Sequence, residues 1–157
     1  MTFTPIAQTF HRCGTWSDVA LTCELDYAAR FIRRKRLETA CGQAFLVDLP
    51  QTTSLDHGDA LALSDGRLVH IVAADEALMR VAGRDLVRLA WHIGNRHTPT
   101  QIMPDHVLIQ DDPVIGLMLQ HLGASVTKII APFTPEGGAY GHGRTHAHEH
   151  VKTAHDH

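Results

Sequence analysis

The sequence predicts an α+β chain with three parts. A small N-terminal β domain comes first (1–75), then a ferredoxin-like β-α-β-β-α-β domain (76–136), then a disordered histidine-rich tail (137–157). Three observations carry this reading. Up to about residue 75, apolar residues fall in short strand-like runs divided by turn residues. From Glu76 onward, two helical patterns with their own caps alternate with strands. The last 21 residues hold six of the chain's 13 histidines, and their only aliphatic residues are alanines and Val151. Such a segment buries too little apolar surface to offset its ordering entropy.

In the first domain, Val19 to Cys23 and Ala44 to Leu49 read as strands. Asp65-Gly66 separates Leu61-Ala62-Leu63 from Leu68-Val69-His70-Ile71-Val72, a strong hairpin signal. Gly42, Pro50 and His57-Gly58 mark further turns. By propensity alone, Tyr27 to Ala40 passes for a helix between strands. It contains Arg30, Arg33, Arg34, Lys35 and Arg36. Such a run is usually a solvated face, and the sharper alternative is a dock for an acidic partner.

In the second domain, Ala77 to Ala82 reads as a strand. Asp85 is placed to N-cap a helix with apolar positions Leu86, Leu89, Ala90 and Ile93, and Gly94 is placed to end it. Gln101 to Met103 and His106 to Gln110 bracket a Pro104-Asp105 turn. Asp112 N-caps a second helix with Pro113 in its first position, apolar at Val114, Leu117, Met118 and Leu122, and closed by Gly123. Ser125 to Ala131 is the last strand. Each domain alone has a thin core, so domain contacts or dimerisation are expected to add stability.

Composition narrows the function. Fourteen Lys and Arg against 17 Asp and Glu give a net charge of −3, which argues against a basic nucleic-acid binder. No apolar run approaches the roughly 20 residues of a membrane helix. Met1-Thr2-Phe3-Thr4-Pro5 shows no secretory signal. Cys13, Cys23 and Cys41 are sparse and widely spaced, as expected of reduced thiols in a cytoplasmic protein. The chain has no HExxH, GxSxG or Walker A pattern, so a metal-dependent hydrolase is a poor fit. His148-Glu149-His150 lies in the flexible tail, where a rigid catalytic geometry is not expected.

Histidine carries the chemistry. In the tail, His142, His146, His148, His150, His155 and His157 are interspersed with small and polar residues. Flexible imidazoles gather round an ion without a preformed cavity, and they suit nickel, copper and zinc alike. The alternative is a solvated tail with no role. His97 follows the first helix and precedes Thr98-Pro99, where proline biases the chain to an extended form. One imidazole does not hold a transition metal tightly, but a two-fold axis nearby would present two copies to one ion. The alternative here is a polar surface residue on a turn. Imidazole ligates only when neutral, so affinity is expected to fall as pH drops through the ordinary histidine range, about 6.5.

Gly94-Asn95-Arg96-His97, followed by Thr98-Pro99 and Gln101-Ile102, resembles the signature of UreE, the family of nickel-carrying urease accessory proteins. Gly58-Asp59-Ala60-Leu61, Ser64 to Val69, Ala73 to Glu76 and Val114 to Gly123 resemble further parts of that family. The resemblance implies a chaperone-like peptide-binding β domain, then a metal-binding domain that dimerises. It implies no enzyme activity, a nickel(II) cargo, and His97 as the principal ligand. It also implies delivery to the urease apoprotein and its accessory proteins, including the maturation GTPase. Many members carry a His-Asp-His triplet before the second helix. Here Asp111-Asp112-Pro113 stands in its place, so no peripheral site is carried over. His92 falls inside the matching segment and reads as a helix-edge residue, and His106 as a candidate substitute ligand. His11, His57, His70 and His121 read as ordinary polar residues. A cytosolic nickel or zinc store is the competing function, since storage and delivery use similar ligands.

Overall fold

The computed structural model describes residues 3–18 and 21–137. The chain divides into two compact units, Met1–Ala74 and Asp75–His157. No helix among the described residues is long and apolar enough to cross a membrane.

The first unit is built from six strands: β1 (Ile6–His11), β2 (Leu21–Leu25), β3 (Phe31–Glu38), β4 (Ala44–Ser54), β5 (Ala60–Leu63) and β6 (Leu68–Ala73). They form one mixed sheet in the order β2-β6-β5-β1-β4-β3. β1 pairs with β4, and β2 with β6, in parallel; the remaining pairs are antiparallel. Period-2 alternation fixes the register: Phe45, Val47 and Leu49 on β4 and Val69 and Ile71 on β6 all turn inward to one core. The Asp65-Gly66 hairpin forms as expected. Gly66 takes a φ of 90°, and the Asp65 carboxylate accepts from the Arg67 backbone N–H at 3.1 Å.

Two expectations are corrected here. Tyr27 to Ala40 is no helix. It is a turn, in which the Arg30 N–H donates to the Asp26 carbonyl, followed by strand β3. Ile32 and Leu37 bury against β4, and that pairing outweighs a local helical preference. Nor is Pro50 a turn. It lies within β4 where the β3 register slips between Ile32 and Arg34, an irregularity that tolerates a residue without an N–H.

Two polar groups hold the loops of this unit. The buried Asp59 carboxylate accepts from Arg12 Nη1 at 2.8 Å, the Cys13 N–H at 2.9 Å and the Asp56 N–H at 2.8 Å. Arg30 is 2% exposed and donates to the carbonyls of Leu25 and Leu55. It therefore stands apart from the solvated cations that follow it.

The second unit contains β7 (Asp75–Ala82), α1 (Leu86–Asn95), β8 (Gln101–Ile102), β9 (Val107–Gln110), α2 (Pro113–His121) and β10 (Ser125–Pro132). Its sheet order is β10-β7-β9-β8, antiparallel throughout, the arrangement a split β-α-β unit produces. Asp85 caps α1 by accepting from the Arg88 N–H, and Asp112 caps α2 by accepting from the Val114 and Ile115 N–H groups. Leu89 and Ile93 of α1, with Ile115 and Leu119 of α2, bury against Met79, Val81, Val107 and Ile109.

The face α2 buries differs from the one its spacing suggested. Val114 is 69% exposed and Leu117 57%, while Ile115, Gly116 and Leu119 are buried. The helix is apolar nearly all round, so periodicity alone leaves its phase open. Gly116 settles it. A Cβ there would stand 3.0 Å from the Met79 sulfur, so the bare backbone is what lets α2 approach the sheet.

Candidate metal centre

His97 sits on the link between α1 and β8. The helix runs one residue beyond Gly94 and is closed by hydrogen bonds from the Arg96 N–H to the Ile93 carbonyl and from the His97 N–H to the Gly94 carbonyl. Gly94 does not supply the left-handed residue that ends many helices; His97 does, with a φ of 56°. It is the one non-glycine residue with positive φ among the described residues. That conformation costs a side-chain-bearing residue roughly 1 kcal/mol, and such strain collects at functional sites.

The turn aims a half-buried imidazole from a fixed backbone. It lies just past the C-terminal end of α1, where the helix dipole is negative and a cation is favoured by about 0.3–1 kcal/mol. Arg96 ties this helix end to α2, its Nε standing 3.1 Å from the Met118 sulfur. On the outer side of α1, Val87 is 84% exposed and Trp91 62%, and with Asp85, Arg88 and His92 they line a shallow open groove. The Trp91 and His92 rings meet edge to face at 5.0 Å.

Beyond β10 the chain comes back to this turn. The Thr134 N–H donates to Gln101 Oε1 at 2.9 Å, and the Glu136 N–H donates to the Thr100 carbonyl at 2.8 Å. β10 and β8 are opposite edges of the four-stranded sheet, so Phe133 to Glu136 crosses it from one side to the other. Pro135 favours the extended backbone this needs at Thr134. The root of the tail is thereby fastened three residues from His97. Sequence reasoning missed Thr100, Gln101, Thr134 and Glu136. The only signal was the proline, since the pairing joins residues more than thirty positions apart.

The other histidines are accounted for one by one. His92 is half-buried on α1, as expected of a helix edge. His106 Nδ1 lies 2.6 Å from the Asp105 carboxylate, which that hydrogen bond holds below the usual carboxylate range. His57 Nδ1 accepts from the Ala73 N–H, His70 packs against Trp16, and His11 and His121 are exposed. His142, His146, His148, His150, His155 and His157 lie outside the described residues. Among the described residues, no three His, Cys, Asp or Glu side chains come together to hold a metal. Of the described histidines, His97 is the one held on a left-handed backbone.

Comparison with known proteins supplies the family. The N-terminal domain of the UreE urease accessory protein matches residues 3–74, and its C-terminal domain matches residues 75–157. The chain is 58% identical over 146 residues to the urease accessory protein UreE of Ruegeria pomeroyi, covering 93% of this chain and 98% of that one. It is 56% identical over 137 residues to that of Rhodobacter capsulatus, covering 87% of each. Against that of Cereibacter sphaeroides it is 52% identical over 151 residues, 96% of this chain and 82% of the relative. Both halves of the chain match the two domains of one family in their order, and the chain belongs to the UreE urease accessory proteins, an accessory rather than an enzyme family.

Proposed function

We propose that this chain is a cytoplasmic nickel metallochaperone that delivers Ni(II) to the urease maturation complex. The observation that carries the reading is the strained, left-handed His97 at the close of the Gly94-Asn95-Arg96-His97 turn. The same conformation closes α1, a place where glycine is the usual residue, and here it is filled by the last histidine of the motif. The ion is cargo. It is bound by His97 from both protomers of a homodimer, formed by the metal-binding domain 76–136. Copper and zinc bind the same imidazoles. The exposed Val87 and Trp91 on α1, the helix that leads into the turn, give that domain an apolar face to pair.

The tail 137–157 collects the ion and completes its shell. Its root at Glu136 is bonded to Thr100, within about 15 Å of His97 by chain length, and His142 lies six residues further on, a reach of about 20 Å. The N-terminal β domain 1–75 serves docking to the urease apoprotein and its accessory proteins, including the maturation GTPase. Transfer is ligand exchange, and labile imidazole donors suit an ion that must leave again.

Equilibrium dialysis tests the sites. His97→Ala in a chain truncated before Gly137 is expected to lose nickel binding, while each change alone leaves a reduced stoichiometry. Unchanged affinity and stoichiometry in the combined variant would overturn the assignment. Deletion of the protein is expected to lower urease activity at limiting nickel. A loss of nickel tolerance alone would favour storage instead.

A further inference from the structure

Strand β3 is an edge of the six-stranded sheet, bonded to β4 on one side. At its end the other edge strand touches it: Cys23 Sγ donates to the Glu38 carbonyl, and the Ala40 N–H donates to the Thr22 carbonyl. Before that corner, the described hydrogen bonds give Ile32 to Leu37 no backbone partner outside β4. Along this open stretch stand Arg33, Arg34, Lys35 and Arg36, all exposed. Four of the chain's 14 cations are thus concentrated here in a protein of net charge −3. Among the described residues none of the four is in an ion pair, although Arg34 lies opposite Asp48 on β4.

The register places the charges on both faces. Arg34 pairs with Asp48 and Arg36 with Leu46, the outward positions of β4, while Lys35 pairs with Val47, whose side chain is in the core. An unpaired backbone row flanked by cations above and below matches one kind of ligand, an extended chain with consecutive carboxylates. Its backbone would continue the ladder, and its alternating side chains would meet a cation on either face. We propose that the β3 edge docks an acidic extended segment of a partner protein by strand addition.

A nucleic acid would also meet the cations, but it has no backbone amides for the ladder, and Glu38 and Asp48 flank the run. Edge cations also serve simply to keep copies apart, and that role leaves acidic peptides unbound.

The test uses the full chain and a fluorescein-labelled peptide of eight consecutive glutamates, read by anisotropy and by amide NMR shifts. Binding is expected to shift Ile32 to Leu37 and to weaken between 50 and 200 mM salt. Arg34→Glu/Arg36→Glu is expected to weaken it at least tenfold, and Lys35→Glu severalfold, with nickel binding unchanged. Arg84→Glu/Lys128→Glu, the same charge change on the other unit, is expected to alter it less than twofold. A peptide N-methylated at alternate residues is expected to lose most of its affinity. The proposal is overturned if the β3 amides do not shift, if both double variants lose binding equally, or if the N-methylated peptide binds as well as its parent. Tighter binding of a twelve-residue oligothymidylate overturns it too, as does a variant at Arg34 and Arg36 that self-associates while still binding the peptide.

Discussion

The Glu136 N–H donates to the Thr100 carbonyl at 2.8 Å, tying the last described stretch of the chain to the segment that carries His97. Two residues far apart in sequence thereby set where the histidine tail begins.

That bond gives the first prediction. Gln101→Ala with Glu136→Pro removes both fastenings, one acceptor and one donor N–H. Nickel affinity of the full chain is expected to fall severalfold by calorimetric titration. The same pair of changes in a chain truncated before Gly137 is expected to have no effect on nickel binding.

The handedness at His97 gives the second. Glycine adopts a φ of 56° freely, whereas alanine keeps the strain and loses the ring. His97→Gly is therefore expected to be more stable than His97→Ala by about 1 kcal/mol in urea unfolding. Both variants are expected to lose the same share of nickel binding.

Asp59 is 1% exposed and accepts hydrogen bonds from three donors in two segments, Arg12-Cys13 and Asp56. Asp59→Ala strands two backbone N–H groups and leaves Arg12 without its closest carboxylate. A loss of about 3 kcal/mol is expected from thermal or urea denaturation, confined to the first unit.

Two of the three thiols, Cys41 and Cys23, are expected to separate by reactivity. Hydrogen bonding from Thr39, then from the Gln43 N–H, lowers the pKa of the exposed Cys41, whereas burial pushes Cys23 up to about 11. A lowered pKa leaves more thiolate at a given pH, so mass-spectrometric alkylation near pH 7.5 is expected to label Cys41 readily and to spare Cys23 until unfolding. Thr39→Ala is expected to slow labelling of Cys41.

Much of the second unit, and the β5–β6 hairpin of the first, was legible in the sequence because the signals are local. Asp85 and Asp112 cap the helices that follow them, and Asp65-Gly66 turns its hairpin, through contacts within three residues. The failures were non-local. Tyr27 to Ala40 followed its partner β4 rather than its propensity, and α2 took its phase from Gly116 against Met79, more than thirty residues away. Of the candidate site, His97 was visible through its motif, yet its left-handed backbone and the return of the chain to Thr100 were not.

The sequence by itself determined the local commitments: which residues cap, turn and alternate, and which histidine closes the Gly-Asn-Arg-His turn. Each depends on atoms a few bonds apart, so residue order suffices to state it. Tertiary structure alone decided the strand order, the buried face of α2, the open basic edge at β3 and the anchoring of the tail root beside His97. Those outcomes depend on which distant surfaces exclude water together and which backbone groups then find partners. Many arrangements satisfy one local pattern, and packing selects among them.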